Sequence, residues 1–410
     1  MKKYWKFMSI LVVILLSIGT FYVKSVTSEE NHPEFVIETQ SGDAKEIEAL
    51  ILDGYYSDTS TMNYKSTNVK ISSEGSTYER RSFLDQIIGE PPAVIKEYQE
   101  KYRSFMRGKG TDLNSFSETD QVLAYADVDY KTDSFHSHDF NFPISILNKE
   151  DASVQSFTVE IPDSENMDYA FMEDVQMIED ELYLITNNMI RSSEGSYDEK
   201  HVYTIDLNNQ TITNDETFSQ VPERQEGNHI VAHIIRTNPT EAHDQMILLE
   251  KEIKVIEDHE SSYREEVVKQ EVISYNLATK EKESIPMSDL PIDSELSFFD
   301  GSSIYFIGVE GQEIVVTPYH LADGKAGEEY RLQRSGEGED GHGPAPMTTI
   351  KDGKLYLSGQ QLTPKLNINA ADVIVADVKN GDILFKGQIT FDDSEAKNQY
   401  ELYLHEMLVE

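Results

Sequence analysis

The sequence predicts an all-β fold assembled from repeated sheet modules, and three observations carry that expectation. An apolar-aromatic triplet recurs, clearest as Leu182-Tyr183-Leu184, Ile304-Tyr305-Phe306 and Leu355-Tyr356-Leu357. Each copy is followed by a second strand of period-two alternation that ends in a polar turn. The last two copies are introduced by Asp300-Gly301 and Asp352-Gly353, residue types suited to tight turns.

The second strands follow one pattern. Val202-Tyr203-Thr204-Ile205-Asp206-Leu207 runs into Asn208-Asn209-Gln210, and Val272-Ile273-Ser274-Tyr275-Asn276-Leu277 runs into Ala278-Thr279-Lys280 after the opener Met246-Ile247-Leu248-Leu249. Ile314 to Leu321 and Val373 to Val378 complete the third and fourth copies, and a weaker copy starts at Val122-Leu123-Ala124-Tyr125 and continues through Ile144-Ser145-Ile146-Leu147. Asn380-Gly381 before Asp382-Ile383-Leu384-Phe385 predicts a hairpin, because both turn residues tolerate positive φ. Successive openers lie about 50–65 residues apart, the length of a four-stranded module with its loops. Leu402-Tyr403-Leu404 is an opener with no module after it, whereas Phe35-Val36-Ile37 and Ala49-Leu50-Ile51-Leu52 are strands with no opener before them. Such fragments predict sheets completed by strands from both ends of the chain, which removes exposed edges.

This grammar resembles the β-propeller repeat proteins of the bacterial cell surface, across nearly everything after Pro33. The resemblance implies an extracytoplasmic propeller domain over residues 29–410, with six blades and seven as the alternative. It stays at the level of fold. Trp5 is the only tryptophan, so WD-type, tryptophan-docked and Asp-box blades have no support, and no diglycine kelch signature recurs.

One stretch, about 82–108, breaks the β pattern. Phe83, Leu84, Ile87 and Ile88 take helical spacing before Pro91-Pro92. Val94, Ile95, Tyr98, Tyr102, Phe105 and Met106 then form one apolar stripe, with Pro92 at the first helical turn and Gly108 at the stop. Lys96, Lys101, Arg103, Arg107 and Lys109 gather there in an otherwise acidic chain. They are the candidate binding residues for an acidic protein or envelope partner, against the plainer role of cations complementing a helix C-terminus.

Residues 1–28 read as a signal-anchor or a signal peptide. Lys2, Lys3 and Lys6 precede an apolar run over 7–23, flanked by Tyr4, Trp5 and Tyr22, so the run is expected to hold the membrane with the bulk of the chain outside. The alternative is cleavage and secretion, with Val26 and Ser28 at the small-residue positions. The absence of cysteine excludes disulfides, thiol chemistry and Cys-based metal sites. With 75 acidic residues against 35 basic ones and a net charge of −40, the chain repels phosphate backbones, and nucleic acid is excluded as a partner.

Asp127, Asp129, Asp133, His136, His138 and Asp139 have the side-chain types of a divalent-cation site, Ca²⁺ being the candidate, although Lys131 breaks the EF-hand pattern and no cofactor is required. The Gly-rich stretch 335–344 reads as an inter-module connection or a lid. His229 and His233 lack the helical His-Glu-x-x-His of zincins and are expected on one side of a strand. No Gly-x-Ser-x-Gly elbow, Ser-x-x-Lys motif or dinucleotide fingerprint is present. The reading is a membrane-tethered binding protein without enzymatic activity, accessory to an envelope or sensory complex. The alternative is an extracytoplasmic hydrolase or lyase using carboxylates in a propeller funnel.

Overall fold

The computed structural model describes residues 32–58, 66–78, 91–133, 137–193, 195–222, 228–238, 242–257, 263–287, 290, 292–334, 345–362, 372–391 and 400–409. The hydrophobic run 7–23, the helical spacing expected over 82–90, His136 and the Gly-rich stretch 335–344 lie outside them. Among the described residues no helix is long and apolar enough to cross a membrane.

The described chain forms six sheets, numbered I to VI here. The openers explain their common plan. In sheet I, Phe116–Glu118 is followed by the opener strand Val122–Ala126 and then by Ser137–Asn148, which pairs with it; Asp129–Thr132 and Val154–Glu160 both pair with that third strand. Sheet II repeats the order with Met167–Ile178, the opener strand Glu181–Ser192, Gly195–Asp206 and Thr211–Pro222. Sheets III and V place Gln245–Glu257 and Lys354–Ser358 in the same second position, and sheet IV places Ser303–Glu310 third, after the two-residue strands Arg236–Thr237 and Phe298–Phe299. Alternation sets how these strands are covered: Leu182 and Leu184 bury one face of the opener while Tyr183 and Ile185 bury the other, so a sheet with this pattern lies between two others.

The orphan strands find one another. The late opener strand Tyr400–Val409 pairs with Leu50–Asp58, so Leu402-Tyr403-Leu404 and Leu50-Ile51-Leu52 are consecutive strands of sheet VI. Phe35–Gly42 likewise joins sheet V by pairing with Ile383–Phe391. A bulge at Asp53/Gly54 lets the two strands of sheet VI approach, and a Cβ at Gly54 would lie 2.3 Å from the Tyr403 carbonyl oxygen.

Each sheet packs its faces on its neighbours. Phe142 and Ile144 of sheet I meet Leu184 and Tyr203 of sheet II in one apolar core. Tyr183 and Val202 meet Leu248 and Tyr275 between II and III, and Leu249 and Val272 meet Phe299 and Phe306 between III and IV. Ile307 and Val316 meet Leu355 and Ile374 between IV and V, and Phe35 and Phe385 meet Leu52 and Leu402 between V and VI. Five joins are therefore apolar, each full burial of a Leu, Ile or Phe side chain contributing about 1.5–3 kcal/mol.

Two features refine the sequence reading. The hairpin expected at Asn380-Gly381 is present, joining Asp372–Asp377 to Ile383–Phe391, but its turn is longer than those two residues. Only Gly381 has positive φ there (74°), Gly381 N–H donates to the Asp377 carbonyl and Asp377 N–H to that of Asp382, which closes a longer loop beside a bulge at Val375/Ala376. The ring of Tyr330 from sheet IV lies against Gly381, 2.3 Å from where a Cβ would be, so packing between sheets selects this loop. The helix also starts one residue later than expected, with Pro92 as its cap, and breaks at Tyr102. It comprises α1 (Ala93–Lys101) and a single turn, α2 (Arg103–Met106), ending at Gly108 with φ 80°. Ile95, Tyr98, Phe105 and Met106 are buried against Phe116, Leu123 and Tyr125 of sheet I.

Candidate functional site

The N-terminus of α1 has an unusual cap. Pro92 offers no side-chain acceptor, and Glu406 from the Tyr400–Val409 strand accepts the Ala93 N–H at 3.2 Å. A carboxylate at this end satisfies an orphan donor and complements the helix dipole. Burial nevertheless raises the Glu406 carboxyl, with the Ala93 bond opposing. The helix is thus fixed to sheet I by its apolar stripe and tied to sheet VI by a polar contact.

Beneath its polar side lies a cavity of about 1470 Å³. Its wall takes residues from Asn228–Ile234 of sheet III, from the Arg236–Thr237 and Phe298–Phe299 strands of sheet IV, from Met347–Lys351 of sheet V and from the end of Tyr400–Val409 in sheet VI. Asn228–Ile234, Arg236–Thr237 and Met347–Lys351 are end strands of their sheets, and Phe298–Phe299 and Tyr400–Val409 are second in theirs. Lys70, Lys96, Arg103, Arg236 and Lys351 line it, opposite Glu97, Glu100, Glu118, Glu295 and Glu406. The wall therefore carries cations and carboxylates in equal number, where the whole chain has acids in more than twofold excess.

Several of these charges are held by specific contacts. Tyr98 donates to Glu118 at 2.6 Å, and Lys149 pairs with the same carboxylate. Lys351 donates to the Val409 carbonyl at 2.7 Å. Arg236 is fixed by Nη2, which donates to the Thr348 hydroxyl (2.9 Å) and carbonyl (3.1 Å) and, at 3.5 Å, to the Leu296 carbonyl. These bonds join the strand Arg236–Thr237 to sheet V. Arg236 is open to the cavity yet enclosed by protein: burial weakens its hold on the proton, and Glu295 and Asp293 oppose that effect. His233 stands on the same wall, its pKa lowered by burial first and then by Lys200 and Lys251.

The candidate residues from the sequence separate. Lys96 and Arg103, two turns apart, face the cavity. Lys101 lies exposed over the Tyr102 ring at 5.2 Å, Arg107 is exposed beyond the cavity wall, and Lys109 packs over the Phe105 (4.3 Å) and Tyr125 (5.2 Å) rings, where burial lowers its pKa. The acidic candidates are spread along sheet I. Asp127 accepts from the Tyr125 hydroxyl at 2.9 Å and from the Val128 N–H, Asp129 and His138 lie on different strands, Asp133 follows the first of these, and Asp139 pairs with Lys131 at 2.9 Å. No group of three or more His, Asp or Glu that could hold a metal ion occurs among the described residues. His229 and His233 do share one side of their strand, with Ala232 buried on the other.

Arg236, Glu295, Lys351, His405 and Glu406 were not singled out by sequence reasoning, because they arrive on three strands and one turn far apart in the chain. One signal was available: Arg236 ends the run Ile234-Ile235 in a chain poor in cations.

No protein-family model matches the chain, and no curated protein matches it. Among solved structures it is similar to cobalt-substituted apocarotenoid oxygenase of Synechocystis (9% identity over 89% of this chain and 97% of that one, TM-score 0.41). It is also similar to TolB of Acinetobacter baumannii (10% identity, 94% and 83%, TM-score 0.28) and to the Dos1 propeller (8% identity, 61% and 55%, TM-score 0.31). Similarities this distant do not bear on what the chain binds.

Proposed function

We propose that this chain is a six-bladed propeller held outside the cell by its 7–23 segment, and that it works by binding a protein or envelope partner in the cavity beside α1. The single observation carrying this reading is the cavity itself, where strands of five sheets and one inserted helix converge on a common space. Six sheets in sequence, with strands from both ends of the chain shared between V and VI, support the closed ring. A space of this size exceeds most small-molecule sites and suits part of a larger partner. A rigid frame presenting an inserted helix is a usual way to position contact residues.

The test uses the absence of cysteine. Gln360 lines the cavity, so Gln360→Cys provides one thiol for attachment of a photo-crosslinker in intact cells. The expected result is a discrete covalent adduct in the membrane fraction that is missing when the crosslinker is placed at Val154, an exposed strand residue away from the cavity. An adduct pattern identical at both positions would overturn the binding reading, and recovery of the chain in the cytosol would overturn the tether.

A further inference from the structure

We infer that the cavity recognises a short peptide segment carrying both an ammonium or guanidinium group and a carboxylate, with Arg236 receiving the carboxylate and Glu295 the cation. This rests on the binding reading above and specifies its ligand class. Arg236 is immobilised through Nη2, while its Nε and Nη1 find no acceptor among the described residues. Glu295, on the adjoining segment, influences both Arg236 and His233 electrostatically but pairs with no cation among the described residues. Two opposite charges side by side, each with bonding capacity left over, ordinarily collapse into an ion pair or remain solvated. Here Nη2 is committed to Thr348 and Leu296, which holds the guanidinium in place without pairing it with Glu295. A ligand group of each sign fits such an arrangement better than a single ion does.

The overall charge balance points the same way. A chain of net −40 would draw any polycation onto its surface, so equal numbers of acids and bases on one wall represent a local departure from the prevailing field. A purely anionic ligand would meet Glu97, Glu100 and Glu295, and a purely cationic one would meet Lys96, Arg103 and Arg236. A segment with both signs meets neither penalty. The cavity's volume of about 1470 Å³ also admits several residues rather than a single amino acid.

The experiment measures fluorescence polarisation of three dye-labelled pentapeptides on the full chain: Ala-Lys-Ala-Glu-Ala, Ala-Lys-Ala-Lys-Ala and Ala-Glu-Ala-Glu-Ala. The mixed peptide is expected to bind tightest at physiological salt, and Arg236→Gln and Glu295→Gln are each expected to weaken it by about tenfold, the effect of one charge-assisted contact. Arg236→Gln also removes a tie between sheets, so Glu295→Gln is the deciding variant if the former misfolds. Preference for the dilysine peptide, unchanged by Glu295→Gln, would overturn the inference and identify the general acidic field as the attractant. Free glycine competing as well as the mixed peptide would overturn the peptide class in favour of single amino acids. A bulky maleimide on Gln360→Cys separates the two levels of the argument. Peptide binding abolished by this block but indifferent to Arg236 and Glu295 leaves the cavity reading standing and removes the inference; binding that survives the block removes both.

Discussion

Consecutive sheets are joined differently from sheets VI and I, each of which α1 contacts. From I to V each sheet buries both faces of its opener strand in apolar cores, and VI buries one, so adjacent sheets are joined by large side chains such as Phe142, Tyr275 and Phe385. Between VI and I stands α1. It gives its apolar stripe entirely to sheet I and offers sheet VI a hydrogen bond from Ala93 to Glu406. The difference teaches that apolar packing sets the frame, while the polar join leaves space, and the cavity occupies that space.

Three measurements would break or sharpen this contrast. The largest effect is expected from Phe385→Ala in the V–VI core, where the ring is fully buried: about 3–5 kcal/mol lost in urea unfolding. A loss below about 1 kcal/mol would mean that this join is not the structural one. Next comes alkaline unfolding. Tyr183, in the II–III core, is pushed up to about 12 by burial first and then by Glu181, and Tyr125, under the helix, is pushed up to about 12 by burial, with Asp127 adding and the Gly110 N–H opposing. The unfolded chain ionises near 10, so these groups leave stability level below pH 10 and lower it as pH rises from 10 to 12. Thermal midpoints should fall across that window, and less steeply in Tyr183→Phe; a flat wild-type profile would contradict the assignment. The smallest effect belongs to the polar join. Glu406→Ala removes a remote cap and is expected to cost about 1 kcal/mol, while amide exchange over 93–101 speeds up and exchange in Glu181–Ser192 stays unchanged. Equal acceleration in both segments would show that the helix is part of the frame.

How legible the molecule was follows the same division. The openers could be read from the chain because alternation is local: Leu182, Tyr183 and Leu184 state their own burial on two faces. The unmatched opener at Leu402 and the unmatched strand at Leu50 each signalled a missing partner, and the structure pairs them. The site was much less legible. Lys96 and Arg103 were visible as a basic run, but which members of that run face the cavity depends on the break at Tyr102, where φ is −123° and ψ 47°. Arg236, Glu295 and Glu406 acquire meaning only when separate segments bring them together, and nothing in the neighbouring sequence of Glu406 announces that it caps a helix 313 positions away. Turn chemistry announced the hairpin at Asn380-Gly381 but not the length of its loop, against which the ring of Tyr330 packs from outside.

The pairing of strands across almost the whole sequence has a consequence for biogenesis. Gln40 bonds Gln388, 348 positions later, and Leu50–Asp58 has no inner neighbour until Tyr400–Val409 arrives. Sheets I to IV can assemble from nearby hairpins as they emerge, but V and VI must wait for distant segments, at a cost in loop-closure entropy that slows the step. A ribosome or translocation channel still holding residues 400–409 therefore keeps the molecule unlatched, with a naked strand edge on offer to chaperones and to other copies alike.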